Sequence, residues 1–224
     1  MRQVINAILY VLTTGCQWRQ LPREFPDWTA VYYYFYRWSG NGTWPRLYNL
    51  LRCRLREKYK RHKHPTAGCL DSQRVKCTGV SGQRGYDAGK KVNGRKRHIL
   101  VDTLGLLLAV VVTEACVQDR DGARLLLRNL PGSCKKLRKI WVDGGYSGKL
   151  VAWVAERFWF CLAVVLRPKE TRQFVLLPRR WVVERTFAWL NHSRRLSKSY
   201  ECLTRTDETW IYIAMTRIAL NRLA

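Results

Sequence analysis

Carboxylates are scarce in this chain. Its 224 residues hold 16 Asp and Glu against 41 Lys and Arg, a formal net charge of +25, so each acid needs an individual explanation. Basic residues spread through the whole length, with a pI near 10.3, point to a polyanionic partner: DNA, RNA or an anionic membrane surface. Also missing are apolar runs long enough to span a bilayer, the pattern of a cleaved signal, internal repeats and low-complexity linkers. Those absences argue against a membrane protein and leave nucleic acid as the leading partner. The eight cysteines lie at 16, 53, 69, 77, 116, 134, 161 and 202, with no zinc-finger spacing, and read as reduced thiols of a cytoplasmic protein. What is plentiful is apolar material, 47% of the chain, enough for a real core.

The first third reads as helices. "MRQVINAILYVLTTG" carries apolar residues at 4, 8, 11 and 12, with Gly15 as a stop. "PDWTAVYYYFYRWSG" repeats the plan, with Asp27 or Thr29 as N-cap. A third helix is expected from Thr43, its cap, with Pro45 in the first turn and Leu47, Leu51 and Leu55 on one stripe. Together they predict a small all-α module over residues 1–64. Its last turns hold Arg52, Arg54, Arg56, Lys58, Lys60, Arg61 and Lys63 against Glu57 alone, either a solvated face or a phosphate contact. His62 and His64, two residues apart, do not share a helix face and read as surface residues.

From Pro65 to the end the pattern becomes strands and helices. "AGCLDSQRVKCT" is a short apolar approach to Asp71. "GRKRHILVDTLGLLLAVVVTEA" predicts two strands around the turn Asp102-Thr103-Leu104-Gly105. A helix opening at Asp119 or Asp121, the strand "KKLRKIWVD", the helix "YSGKLVAWVAERF", the strand "WFCLAVVLRP" and two final helices complete an α/β arrangement, a mixed sheet flanked by helices.

Two acids stand where such sheets place chemistry, at the carboxyl ends of strands: Asp71 after "AGCL" and Asp143 after "RKIWV". After Asp143, Gly144 and Gly145 either leave room for a ligand or only build a turn, and Tyr146 and Ser147 are expected to open the next helix. A third acid, Glu184, sits among Trp181, Val182, Val183, Phe187 and Leu190. Its alternative role is an i, i+4 salt bridge with Arg180. Three carboxylates gathered together would repel one another without a cation between them, and a hard divalent ion takes such oxygen ligands. Two ions about 3.5–4 Å apart suit phosphoryl transfer.

"LDSQRVK", "GYDAGKKVNGRKRHILVDTLGLLLAV", "WVDGGYSG" and "RRWVVERTFAWL", in that order, resemble the DDE transposases of bacterial insertion sequences, in the group that includes the fourth and fifth insertion-sequence families. The likeness covers nearly the whole chain, including "NAILYVLTTGCQWRQLP". It implies an RNase H-like catalytic domain over 65–224, a helical DNA-binding module over 1–64, and Asp71, Asp143 and Glu184 as catalytic residues holding two Mg²⁺ ions, with Mn²⁺ as a substitute. It further implies cleavage at the element's inverted-repeat ends and joining of the 3′-OH to target DNA. The partners would be double-stranded DNA and a second copy of the chain in a synaptic complex; the place would be the bacterial cytoplasm, on the nucleoid. Basic residues expected at DNA are Arg56, Lys60, Arg61, Lys90, Lys91, Arg95, Lys96, Arg180, Arg185, Arg194 and Arg195. In the family's Tyr-two-Arg-three-Glu-six-Lys signature Arg180 and Glu184 match, while Leu177 and Asn191 replace the Tyr and Lys. Members of the group usually have residues ahead of the segment starting at Met1, so the chain resembles a shortened copy; they also normally lack Glu114 and Cys116, and both departures fit a decayed element. Two other readings fit the same residues: an inactive DNA-binding protein that competes with full-length transposase, and a structure-selective nuclease.

Overall fold

The computed structural model describes residues 1–79, 82–166 and 180–224. Helix α1 (Arg2–Thr14) stops at Gly15, whose φ of 71° lets its N–H return to the Val11 carbonyl at 2.9 Å. Helix α2 (Trp28–Gly40) opens on Asp27, which accepts from the Thr29 N–H at 2.8 Å. Helix α3 (Thr43–Lys58) differs from expectation at its cap. Thr43 already lies inside the helix, and Asn41 accepts from its N–H at 3.1 Å while Gly42 occupies the cap position.

The sheet contains β1 (Ala67–Lys76), β2 (Gly85–Asp87), β3 (Val92–Asp102), β4 (Leu107–Glu114), β5 (Lys139–Val142) and β6 (Cys161–Val164). β1 runs antiparallel to β3 on one side and parallel to β5 on the other, and β6 continues parallel beyond β5. The far edge of β3 is taken by β4 along Arg95–Val101 and by β2 along Val92–Gly94, both antiparallel. The strand expected to end near Asp71 instead continues five residues past it, because β3 pairs with β1 as far as Lys76. The predicted hairpin turn is present: Asp102 accepts from the N–H groups of Leu104 and Leu106 at 2.9 Å each.

Helices α4 (Asp119–Arg128) and α5 (Lys149–Arg157) cover one face of this sheet, and α6 (Trp181–Asn191) and α7 (Thr204–Leu223) the other. Alternation along each strand divides the core accordingly. Leu70, Leu100, Ala109 and Val142 pack toward α4 and α5; Cys69, Ile99, Val110 and Trp141 pack toward α6 and α7. The three N-terminal helices share that second core. Phe35 of α2 stacks on Trp210 of α7 at 4.7 Å, and Trp18 lies 5.8 Å from the same ring. Aromatic pairs of this kind add about 0.5–1.5 kcal/mol each beyond area burial, so α7 clamps residues 1–58 to the sheet. No helix among the described residues is long and apolar enough to cross a membrane.

Candidate active site

Register brings two of the three acids together. The parallel ladder of β1 and β5 ends at Cys69 opposite Trp141, so Asp71 and Asp143 each lie two residues beyond it, level with one another. Cys69 and Trp141 face the α6 side, and alternation turns Asp71 and Asp143 to that same side. β5 stops there because Gly144–Tyr146 forms a tight turn capped by Asp143, whose Oδ1 accepts from the Gly145 N–H at 2.8 Å. β1 runs on, held by β3. Both acids therefore stand at the carboxyl end of the parallel pair, on the side of the sheet where α6, which carries Glu184, packs.

Electrostatics links the acids. Asp71 is pushed up to about 6: burial is the largest cause, and the charges of Asp143 and Glu184 act in the same direction. The Ser72 N–H, 2.8 Å from Oδ1, and the Arg180 guanidinium oppose the rise. Glu184 is exposed and meets Arg180 at 3.3 Å, so the i, i+4 bridge exists beside the acid cluster rather than instead of it. Among the described residues no three Asp, Glu, His or Cys side chains stand close enough to enclose a metal as they are placed. The donor set nevertheless fits a hard cation. All three groups are carboxylates, and burial with the neighbouring negative charges makes the ionised form of Asp71 unfavourable, a condition that a divalent ion would relieve.

On the opposite face of β1 lies a second group of acids that sequence reasoning did not foresee. The Ser72 hydroxyl donates to Asp119 at 2.8 Å; Lys96 reaches Asp119 at 3.1 Å and Asp87 at 3.7 Å; Arg74 pairs with Asp87 and meets Asp119 at 3.4 Å. Hydrogen bonds from these partners hold Asp87 and Asp119 below the usual carboxylate range. Since Ser72 also holds Asp71 through its amide, this network fixes the strand under the first acid. The sequence signal was "DRD" at a helix start, read only as a cap.

The expected DNA-contacting residues separate into two sets. Lys60, Arg61, Lys90, Lys91 and Arg194 are exposed, and Arg180 is half-buried at the acid cluster. Arg56, Arg95 and Lys96 are corrections, because their side chains are buried in ion pairs. Arg56 pairs with Asp102 and donates to the His62 carbonyl at 2.7 Å. Arg95 binds Asp207 at 2.6 Å and the carbonyls of Gln83, Glu201 and Cys202. Lys96 serves the network above. The cause is topology: β3 is flanked on both edges and covered on both faces. Arg185 is half-buried between the Trp181 and Trp189 rings, 4.5 and 4.6 Å away, and donates to Leu104. Arg195 is taken by Glu201, with its Nε 3.0 Å from the carboxylate.

The glycine turn also departs from expectation. Gly144 and Gly145 keep ordinary negative φ, and Gly148, at φ 83°, is the residue whose backbone needs glycine. A Cβ on Gly145 would lie 3.0 Å from the Asp143 Oδ1, so this glycine keeps space beside the carboxylate. Tyr146 is buried rather than at a helix start, because α5 begins later, at Lys149. Leu177 of the signature lies outside the described residues; Asn191, its other departure, is exposed at the end of α6.

Comparison with known proteins gives the family. The family described as "Transposase DDE domain" matches residues 62–219, and the one described as "Putative transposase of IS4/5 family" matches residues 1–48. A Burkholderia cepacia protein named "Putative transposase for insertion sequence element IS402" is 31% identical over 143 residues, 58% of this chain and 64% of that protein. The chain thus spans less than two thirds of that relative's length. No solved structure matches the chain. The chain belongs to the DDE-type transposases of insertion sequences.

Proposed function

We propose that the protein cleaves DNA at the ends of an insertion sequence and joins the freed 3′-OH to target DNA, with Asp71, Asp143 and Glu184 as its catalytic carboxylates. The observation that carries this reading is the pairing of Asp71 with Asp143 at one level and on one face of adjacent parallel strands, beneath the helix of Glu184. The strand order β4-β3-β1-β5-β6, with β3 alone antiparallel to the rest, supports an RNase H-like fold. The three carboxylates would hold two Mg²⁺ ions, which when bound supply Lewis-acid stabilisation of charge at the phosphorus centre.

The chain's own residues do the rest. Arg180 holds Glu184 on the side of the sheet that carries the two aspartates and offsets the negative charge near Asp71. The Ser72 and Gly145 amides orient one oxygen each of Asp71 and Asp143, which would leave the second oxygen of each for a metal ion. The close approach of Gly145 keeps side-chain bulk away from Asp143 as a DNA strand enters. Exposed Lys60, Arg61, Lys90, Lys91 and Arg194 would neutralise backbone phosphates away from the acids. Cleavage of both element ends within one complex implies two copies of the chain.

The test is incubation of the purified protein with labelled linear DNA carrying the element's ends, with and without Mg²⁺. Mg²⁺-dependent nicking at the ends, followed by joined products, is the expected result. DNA binding without cleavage in Mg²⁺ or Mn²⁺ would refute the catalytic reading.

A further inference from the structure

The proposed catalytic acids occupy one end and one face of the sheet, and a band of cations occupies the opposite end and reaches onto the opposite face. On the α4–α5 face the guanidinium groups of Arg124, Arg128 and Arg157 lie 5.8, 5.6 and 5.7 Å from the centre of one ring, that of Trp153. Asp121 meets Arg124 at 3.5 Å. A helix C-terminus favours a cation, and Arg128 and Arg157 end α4 and α5. That accounts for two of the three, but not for their gathering with Arg124 around a single indole, where like charges repel.

The chain leading into β5 adds more. Lys135, Lys136, Arg138 and Lys139 are exposed, and the Arg138 N–H donates to the Thr66 carbonyl at 2.7 Å, which ties this segment to the start of β1. Lys136 lines one surface pocket with Arg61, His62 and Lys63, so these cations continue into the exposed run at the end of α3. Among the described residues no ion pair engages Arg128, Arg157 or any of Lys135, Lys136, Arg138 and Lys139. Opposing acids are few. Glu57 meets Lys63 at 3.3 Å, Asp121 is taken by Arg124, and from Gly122 to Leu166 Glu156 is the only acid besides Asp143. Lys139 opens β5 and Asp143 follows its last residue, so band and acids stand about 13 Å apart along the strand, at roughly 3.3 Å per residue.

We propose that this band seats a stretch of duplex DNA by its phosphates, and that this stretch is not the one whose phosphodiester lies at Asp71 and Asp143. The cations come from α4, α5 and the segment before β5, and they are spread over the surface rather than aimed at one point. Such a layout matches a charged rod with one phosphate per roughly 1.7 Å of axis, and not a single small anion. Guanidinium groups held against Trp153 lose less freedom on meeting a phosphate than free side chains do. The proposal rests on DNA being the polyanion this protein handles; it does not require the three carboxylates to be catalytic.

The experiment compares two triple variants of the full chain that lose the same charge. One carries Arg128→Gln, Lys136→Gln and Arg157→Gln, in the band; the other carries Arg2→Gln, Arg23→Gln and Arg37→Gln, at exposed positions near the N-terminus. Affinity for a labelled linear duplex is read by fluorescence anisotropy across a salt series. The band variant should bind at least about tenfold more weakly and flatten the slope of log K against log[salt] by about 0.9 for each lost contact, while the N-terminal variant keeps the wild-type slope. Lys135→Gln with Lys136→Gln, away from Trp153, decides the matter if the band variant does not fold. Cleavage at saturating element-end DNA should persist in the band variant, and the wild-type slope should persist in Asp71→Ala, so a protein that never cleaves leaves the slope comparison intact. Equal slopes in the band variant and the wild type, or equal losses in the two triple variants, would overturn the proposal and make the band a solvated face. Loss of cleavage at saturating DNA as complete as in Asp71→Ala would overturn the separate stretch and put the band's DNA at the acids. Tighter binding to anionic lipid vesicles than to duplex, lost in the band variant, would overturn it in favour of a membrane surface.

Discussion

Two groups of acids flank β1, and they are built oppositely. On the α4 side Asp87 and Asp119 are interleaved with Arg74 and Lys96, and their partners hold both carboxyls below the ordinary range. On the α6 side, among the described residues, Asp71, Asp143 and Glu184 lie near the single cation Arg180, and burial together with the neighbouring carboxylates raises Asp71 to about 6. In a chain with 41 basic residues, acids with one cation beside them among the described residues are the anomaly. Paired acids stabilise the fold, whereas crowded unpaired ones keep unfavourable energy that a cation can relieve.

The sharpest test of that contrast is loss of activity. Asp71→Ala, Asp143→Ala and Glu184→Ala should each lower DNA cleavage by about 1000-fold or more, measured on labelled element ends, while DNA affinity by filter binding changes little. Asp119→Ala should retain far more activity than any of the three; loss equal to theirs would erase the distinction between the two groups.

Stability should move in opposite directions. Asp71 has a folded pKa raised above its unfolded value near 3.8, so its ionised form destabilises the fold above about pH 6, and the penalty disappears as pH falls below 4. In the absence of divalent ions Asp71→Asn should therefore stabilise the protein at pH 7.5 by roughly 1–3 kcal/mol. That gain should vanish near pH 3.5. Asp119, lowered in the fold, contributes stability above its unfolded pKa that is lost as pH falls through the folded value. Asp119→Asn should accordingly destabilise at pH 7.5 by about 1–3 kcal/mol, through weakened bonds to Lys96 and Ser72. Denaturant titrations at the two pH values read both signs, and a shared sign would defeat the comparison.

Smaller effects separate the glycines. Gly145→Ala places a methyl group against Asp143 and should slow cleavage about tenfold, the effect of roughly 1.4 kcal/mol on a barrier, with little change in melting temperature. Gly148→Ala, at positive φ, should instead cost about 1 kcal/mol of stability. The smallest effect concerns the exposed basic run. Charge reversal at Lys60 and Arg61 should flatten the slope of log K against log[salt] by about 0.9 for each lost phosphate contact, and an unchanged slope would make the end of α3 a solvated face.

Much of the fold was legible because its signals are local. Val4, Ile8, Val11 and Leu12 announce α1, Gly15 ends it, and Asp102 with Gly105 marks the β3–β4 turn; each acts within a few residues. The proposed acids stood out in the same way, since each follows or interrupts an apolar segment in a chain with few carboxylates, and the β1–β5 register then sets two of them level with one another. The length of β1 was not, because its extension past Asp71 depends on pairing with β3, from Ser72 opposite His98 to Lys76 opposite Gly94. Nor was the burial of "RKRH" in β3: four polar residues in a row look like a surface until Asp119, Asp207 and the carbonyls near Leu196 fold over them.

The amino-acid order by itself determined the helical start, the α/β remainder and the strongly basic composition, and it singled out the three candidate carboxylates, all properties of residue type and short-range spacing. Tertiary structure decided which charges remain available. Interior placement of β3 commits Arg95 and Lys96 to ion pairs, docking of α3 against β3 commits Arg56 to Asp102, and the β1–β5 register sets Asp71 beside Asp143. The physical reason is that a charge acts according to its desolvation and its nearest partners, and both are set by segments far apart in the chain.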